Sequence, residues 1–187
     1  DPLNFKINLK TIGPIIYFSN KPLELEHIKS DISLLSFLKK RIIVSNFEIG
    51  SRSVLARDLV KFARAVINRP ELFVLEKIIK NGFIIINLKI NFDEKGNIKS
   101  DYEINGLLKE GKIESFNNNN FKNINFKFDI KKNYYFFEQI SFSFDKINFN
   151  SKLLRVTKKS NNFLFEGNIE NKNSVLTKKF LNLINFN

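Results

Sequence analysis

The side chains best suited to chemistry are few. His27 is the single histidine, and Ser30 and Asp31 follow within four residues, so the types needed for a base, a nucleophile and an orienting acid lie close together. A hydrolase of that kind commonly holds its serine in a G-x-S-x-G elbow, and no such segment occurs. A lone histidine ahead of a helix cap reads as an ordinary surface or core residue. Asp93 and Glu94 offer adjacent carboxylates, but Lys95 sits beside them and the spaced oxygen ligands of a calcium loop are missing. They read as turn chemistry. The absence of Cys removes thiol catalysis, disulfides and thiolate zinc sites, and one His removes a histidine-cluster metal site. The seven Gly residues are too scattered for G-x-x-x-x-G-K or G-x-G-x-x-G, so nucleotide binding has no support. No enzyme activity, catalytic residue, metal or cofactor is expected.

What remains is charge. The 187 residues carry a formal net charge of +12, yet only six of the 31 basic residues are Arg: Arg41, Arg52, Arg57, Arg64, Arg69 and Arg155. Nucleic-acid readers lean on Arg forks and exposed aromatic rings, whereas these cations are mostly Lys and scattered along the chain. Lys, Asn, Ile and Phe share AT-rich codons, and base composition accounts for much of the excess. Nucleic acid is therefore disfavoured as a partner. Lys on a wet face could also hold the protein near anionic headgroups. Apolar runs such as Phe83 to Ile86 and Tyr134 to Phe137 stop at four residues, against about 20 for a membrane-spanning helix.

The elements that would position any site follow from a change of hydrophobic period. Residues 1–57 read as short strands and one helix. Leu3, Phe5, Ile7 and Leu9 alternate, Ile15 to Phe18 and Leu23 to Ile28 follow after breaks at Gly13-Pro14 and Lys21-Pro22, and Leu34, Leu35 and Leu38 have helical spacing. Ile43, Phe47 and Ile49 predict a strand with an irregularity near Asn46. Residues 58–81 read as a helical insert: Asp58 as a cap, Leu59, Phe62, Ala63 and Val66 on one face, Pro70 opening a second helix and Asn81-Gly82 ending it. Residues 82–170 read as a long antiparallel meander of period two, with turns at Asp93 to Asn97 and Lys131 to Asn133. Residues 171–187 form a tail with spacing for a short helix.

The fold class is accordingly mainly β with a helical insert (α+β), built on a long twisted antiparallel meander forming an open β-groove; a β-sandwich is the alternative. Strands of about eleven residues on either side of Gly96 exceed the usual five or six, and belong to a wide sheet. One face collects Phe and Ile, the other Lys, Asn, Asp and Ser. The apolar band must be covered by a second sheet, by helices or by something other than protein. Its candidate lining is Ile84, Ile86, Leu88, Ile90, Phe92, Tyr102, Ile104, Phe126, Phe128, Phe142, Phe144 and Phe149. Phe136 and Ile140 are placed on the same face as Phe142 and Phe144.

From about Leu34 to Asn171 the chain resembles the AsmA-like family of Gram-negative envelope proteins (the AsmA/TamB/YhdP group). The resemblance rests on the helical insert, a strand ending Asn-Phe-Asp-Glu-Lys-Gly-Asn at Asn91 to Asn97, and a return strand ending Ile-Asn-Gly at Ile104 to Gly106. Gly-Lys-Ile at Gly111 to Ile113 opens the next strand, and Phe-Glu-Gly-Asn-Ile recurs at Phe165 to Ile169. It implies a non-enzymatic periplasmic groove that carries phospholipid acyl chains between the inner and outer membranes. The family's N-terminal transmembrane anchor and full groove length are not seen, so the expectation is an internal fragment. Its parent would be anchored in the inner membrane, reaching membranes through other parts of that chain. Envelope proteins are expected as further partners, in an alternative role as an assembly scaffold for outer-membrane protein biogenesis without lipid carriage.

Overall fold

The computed structural model describes residues 6–18, 21–33, 44–66, 70–93, 95–99, 101–114, 120–144, 146–160, 162–172 and 175. Of these, 73% lie in strand, which makes the fold mainly antiparallel β with two short helices. In chain order the elements are β1 (Lys6–Ile12), β2 (Ile15–Phe18), β3 (Lys21–Ser33), β4 (Val44–Ser51) and β5 (Val54–Leu55). The helices α1 (Ala56–Val66) and α2 (Pro70–Ile78) follow. Then come β6 (Ile79–Asn91), β7 (Glu103–Glu114), β8 (Asn120–Lys131), β9 (Tyr134–Phe144), β10 (Ile147–Lys159), β11 (Asn162–Gly167) and β12 (Glu170–Asn171). The strand order is β1-β3-β4-β6-β7-β8-β9-β10-β11, with β2 on β3, β5 on β6 and β12 on β10. From β6 to β11 each strand neighbours the next in sequence, as a meander should. No pairing among the described residues joins β1 to β11, so the sheet is open.

Local chemistry explains most boundaries. Gly13, with φ 66°, turns the chain between β1 and β2. The irregularity expected near Asn46 is present: Asp31 pairs with Asn46 but Ile32 with Val44, leaving Ser45 as the extra residue, and its hydroxyl donates to the Asp31 carbonyl at 3.2 Å. Asp93 organises the turn before β7. Its carboxylate accepts from the backbone N–H of Lys95 at 2.8 Å and of Asn97 at 2.9 Å, and Gly96 supplies φ 85°.

Two helix boundaries differ from expectation. α1 starts at Ala56, so Asp58 lies in its first turn instead of capping it, where a carboxylate still meets the positive end of the helix dipole. Asn81-Gly82 does not end α2, because the chain is already extended in β6 from Ile79. Gly82 serves a close approach between strands: its φ is 131°, and a Cβ there would stand 3.0 Å from the Cα of Gly111. The helix expected over Leu34 to Leu38 lies outside the described residues, but its expected caps Ser30 and Asp31 belong to β3; the tail helix expected from Ser174 to Ile184 also lies outside them except for Val175, which is in no helix.

The chain forms two compact units that interleave in sequence. The first is Asp1–Arg52 with Ile85–Gly106 and Asp129–Asn133; the second is Ser53–Ile84 with Leu107–Phe128 and Tyr134–Asn187. The divisions therefore leave the segment 58–81 whole in the second unit and cut across 82–170, because β6, β7 and β8 each contribute to both units.

Within the second unit a line of kinks crosses the strands. Lys80-Asn81 in β6, Lys109-Glu110 in β7, Lys122-Asn123 in β8, Glu138-Gln139 in β9 and Lys152-Leu153 in β10 are successive exposed pairs, each flanked by more buried residues. Regular pleating would send one of each pair inward. At three of the five, left-handed backbone prevents that: φ is 53° at Glu110, 52° at Asn123 and 52° at Gln139. Side chains take up polar groups along the line. The Glu110 N–H donates to Asn125 Oδ1 at 2.9 Å, and Asn125 Nδ2 donates to Ser141 Oγ at 3.1 Å. Asn123 Nδ2 donates to Ser143 Oγ at 3.3 Å, which in turn donates to Asn148 Oδ1 at 2.8 Å. Because β9 and β10 kink at opposite positions, Glu138 to Leu153 and Ile140 to Ser151 stay in register.

Candidate functional site

In the first unit, pairing across β3, β4 and β6 sorts side chains by chemistry. Ile28, Ile49 and Leu88 lie opposite one another, as do Ser30, Phe47 and Ile90, and Leu9 of β1 continues the second row. Successive side chains on a strand alternate faces, so these rows share one face. Ile28, Ile32, Phe47, Ile49, Ile86, Leu88 and Ile90 are all half-buried, and Ile7 and Leu9 on β1 are exposed. None of them reaches the interior. Phe92, Tyr102 and Ile104, also half-buried, belong to this unit; Phe92 bridges to Ile98 across the Asp93 turn.

The second unit treats its apolar residues differently. Phe144 and Ile147, each 2% exposed, form a core with Phe149, and Phe121 and Phe142 pack against it. Phe142 stacks on Phe149 at 5.1 Å between ring centroids, and Phe121 lies 5.0 Å from Phe144. Phe126 meets Phe137 edge-on at 5.6 Å and Phe128 at 6.0 Å. Ile84 is half-buried and pairs with Val54. Of the twelve candidate lining residues, Phe128, Phe144 and Phe149 are buried against protein, and the other nine are half-buried. The structure brings Phe142, Phe144 and Phe149 together in one cluster, and Phe126 with Phe128. Sequence reasoning omitted Phe121, Phe137 and Ile147 from this set, and Ile28, Phe47 and Ile49 from the first unit. Phe136 does not share the face of Phe126: its strand partner is Arg155, whose guanidinium lies 5.4 Å from its ring.

The opposite face of the first unit is polar. His27, Lys29 and Asp31 on β3 pair with Gly50, Glu48 and Asn46 on β4, followed by Asn87, Lys89 and Asn91 on β6. Glu48 accepts from Lys29 Nζ at 2.8 Å and lies 3.0 Å from His27 Nε2. The Lys29 hydrogen bond is the main reason the Glu48 carboxyl titrates below its ordinary value; partial burial opposes this, and the His27 contact adds to it. Gly50 leaves room for the His27 ring, since a Cβ there would stand 2.5 Å from Cε1. Ser30 pairs with Phe47, so alternation sends it to the apolar face while His27 points to the polar one. The base and nucleophile that the sequence brings within four residues are thus kept apart.

Asp93 is held below the ordinary aspartate range first by the Asn97 side-chain amide, then by the Asn97 backbone N–H, and engages its own turn. Among the described residues no three His, Cys, Asp or Glu side chains gather as a metal site, and no helix is long and apolar enough to cross a membrane. The arrangement can thus offer apolar sheet surface to a ligand and ionic surface to water. No family model, curated protein or solved structure matches the chain.

Proposed function

We propose that the chain is a section of a periplasmic hydrophobic groove for passive transport of phospholipid between inner and outer membranes. One observation carries this: in the rows Ile28, Ile49, Leu88 and Ser30, Phe47, Ile90 every side chain is half-buried, burial being reached only further along β3 at Leu25, 2% exposed opposite Ser51. At about 25 cal/mol per Å² of apolar surface, a row of half-exposed aliphatic side chains leaves several kcal/mol for a ligand to recover. An acyl chain fits that need, being apolar along its length and indifferent to which aliphatic side chain it meets. Headgroups stay in water, no bond is made or broken, and the protein acts as a surface. The sequence resemblance to AsmA-like envelope proteins points to the same assignment and a periplasmic setting, although two segments it rests on, Ile104 to Gly106 and Gly111 to Ile113, lie within the single strand β7 instead of ending one strand and opening the next.

The test is lipid retention. The purified chain should carry phospholipid detectable by mass spectrometry, and Phe47→Glu with Leu88→Glu should remove it while a thermal unfolding transition persists. A lipid-free wild-type protein, or equal lipid in the folded double variant, sinks the assignment.

A specific feature favours a second role, as a scaffold for outer-membrane protein assembly. β11 pairs with β10, and its Phe163, Leu164 and Phe165 are exposed. An edge of that kind accepts an added strand. Crosslinking from position 164 to a client strand, without lipid, would replace the transport reading with this one.

A further inference from the structure

We propose that the α1–α2 pair is a docking element for an anionic phospholipid bilayer, with Phe73, Val74 and Leu75 entering the acyl boundary and the neighbouring cations meeting headgroup phosphates. The starting point is that α2 is inside out. Phe73, Val74 and Leu75 are 50%, 42% and 39% exposed, whereas the Glu76 side chain is only 12% exposed and pairs with Arg64 at 2.8 Å. Three successive helical residues sweep about 200° of the circumference, so most of the outward arc of α2 is apolar. A helix facing water distributes its residues the other way.

Charge identifies the occupant. Residues 56–80 carry six cationic side chains against three anionic ones. Two of the cations flank the exposed Phe73 ring: the Arg64 guanidinium carbon lies 5.7 Å and Lys77 Nζ 5.5 Å from its centroid. Arg64 is shared with Glu76, so Lys77 is the cation beside the ring that no carboxylate among the described residues engages. A protruding apolar tripeptide with cations at its base matches an interfacial helix, whose long basic side chains reach back to the phosphate level while the apolar tip sits deeper. This site takes a bilayer surface, and shares no residue with the sheet face that would hold single acyl chains.

The chain contains no Trp, so Phe73→Trp introduces a single fluorescent reporter. With vesicles of one part phosphatidylglycerol to two parts phosphatidylcholine, Trp emission from that position should shift to the blue, and high salt should reverse the shift. Leu164→Trp on β11 should not respond. Phe73→Asp with Leu75→Asp should lower vesicle co-flotation by about tenfold or more, since two apolar anchors are lost. Lys77→Glu, which leaves the apolar residues in place, should lower it several-fold and keeps the test valid if the double variant misfolds. Absence of flotation, undiminished flotation of the variants, or a silent reporter at position 73 while the protein floats would overturn the proposal. So would a dimer in sedimentation that Phe73→Asp dissociates, since a second copy would then be the occupant. Retention of copurified lipid by Phe73→Asp with Leu75→Asp separates this result from the fate of the groove.

Discussion

The two units build apolar faces by the same alternation and finish them differently. In the first, Ile28, Ile49 and Leu88 and then Phe47 and Ile90 stand in rows, all half-buried. In the second, Phe144, Ile147 and Phe149 are buried, with Phe121 and Phe142 laid over them. The difference lies in what cross-strand neighbours can do for one another. Phe142 and Phe149 sit opposite in register and their rings stack, so each covers much of the other. Ile28, Ile49, Leu88 and Ile90 have no stacked ring beside them and stay half-buried, whereas Ile147 is covered because it lies within the aromatic cluster. Alternation decides which face is apolar; side-chain size and pairing decide whether that face closes on itself.

The largest expected effect separates the faces energetically. Phe144→Ala removes a fully packed ring and should cost about 3–5 kcal/mol, whereas Leu88→Ala on the half-covered face should cost about 1–2 kcal/mol. Urea unfolding of both variants measures this. Equal losses would mean that the first face is as closed as the second, and the comparison would collapse.

A smaller effect of opposite sign comes from the kinks. Glu110 and Gln139 hold left-handed backbone that L side chains resist, so Glu110→Gly and Gln139→Gly should each stabilise the protein by about 0.5–1 kcal/mol. Asn123 tolerates this conformation better and should gain less. In the first unit, Lys89→Gly in ordinary extended strand should destabilise by about 0.5–1 kcal/mol. If glycine lowers stability in both places, the kinked conformations are not held in solution.

Much of this was legible from particular residues. The alternation from Ile84 to Phe92, the Asp93 to Asn97 turn and the irregularity near Asn46 lie in local sequence, and local geometry reproduces them. The kinks also had a signature, in doubled polar residues between apolar ones: Phe121-Lys122-Asn123-Ile124 and Phe137-Glu138-Gln139-Ile140. A single unbroken period carried through β9 groups Phe136 with Phe142; the left-handed residue at Gln139 resets that period and leaves Phe137 against Phe126. The partnership of Phe47 with Ile90 was harder to see. It requires β4 to pair with β6 across the whole helical insert, a non-local choice to which the periodicity of neither segment refers.

The smallest effect tests the polar side of the same comparison. Glu48 titrates below its ordinary 4.5 chiefly because Lys29 donates to it, while the second unit's aromatic cluster contains no titrating group. A carboxyl lowered by folding stabilises the folded state above its unfolded value, and that contribution is lost as pH falls through 4.5 toward the folded value. The pair is partly exposed, so the effect should be on the order of 1 kcal/mol or less. Glu48→Gln should therefore flatten the acid side of the stability profile, whereas Phe144→Ala should lower the profile without changing its slope there. Parallel acid limbs for Glu48→Gln and wild type would show that Lys29 and His27 do not hold the carboxylate in solution as they do across β3 and β4.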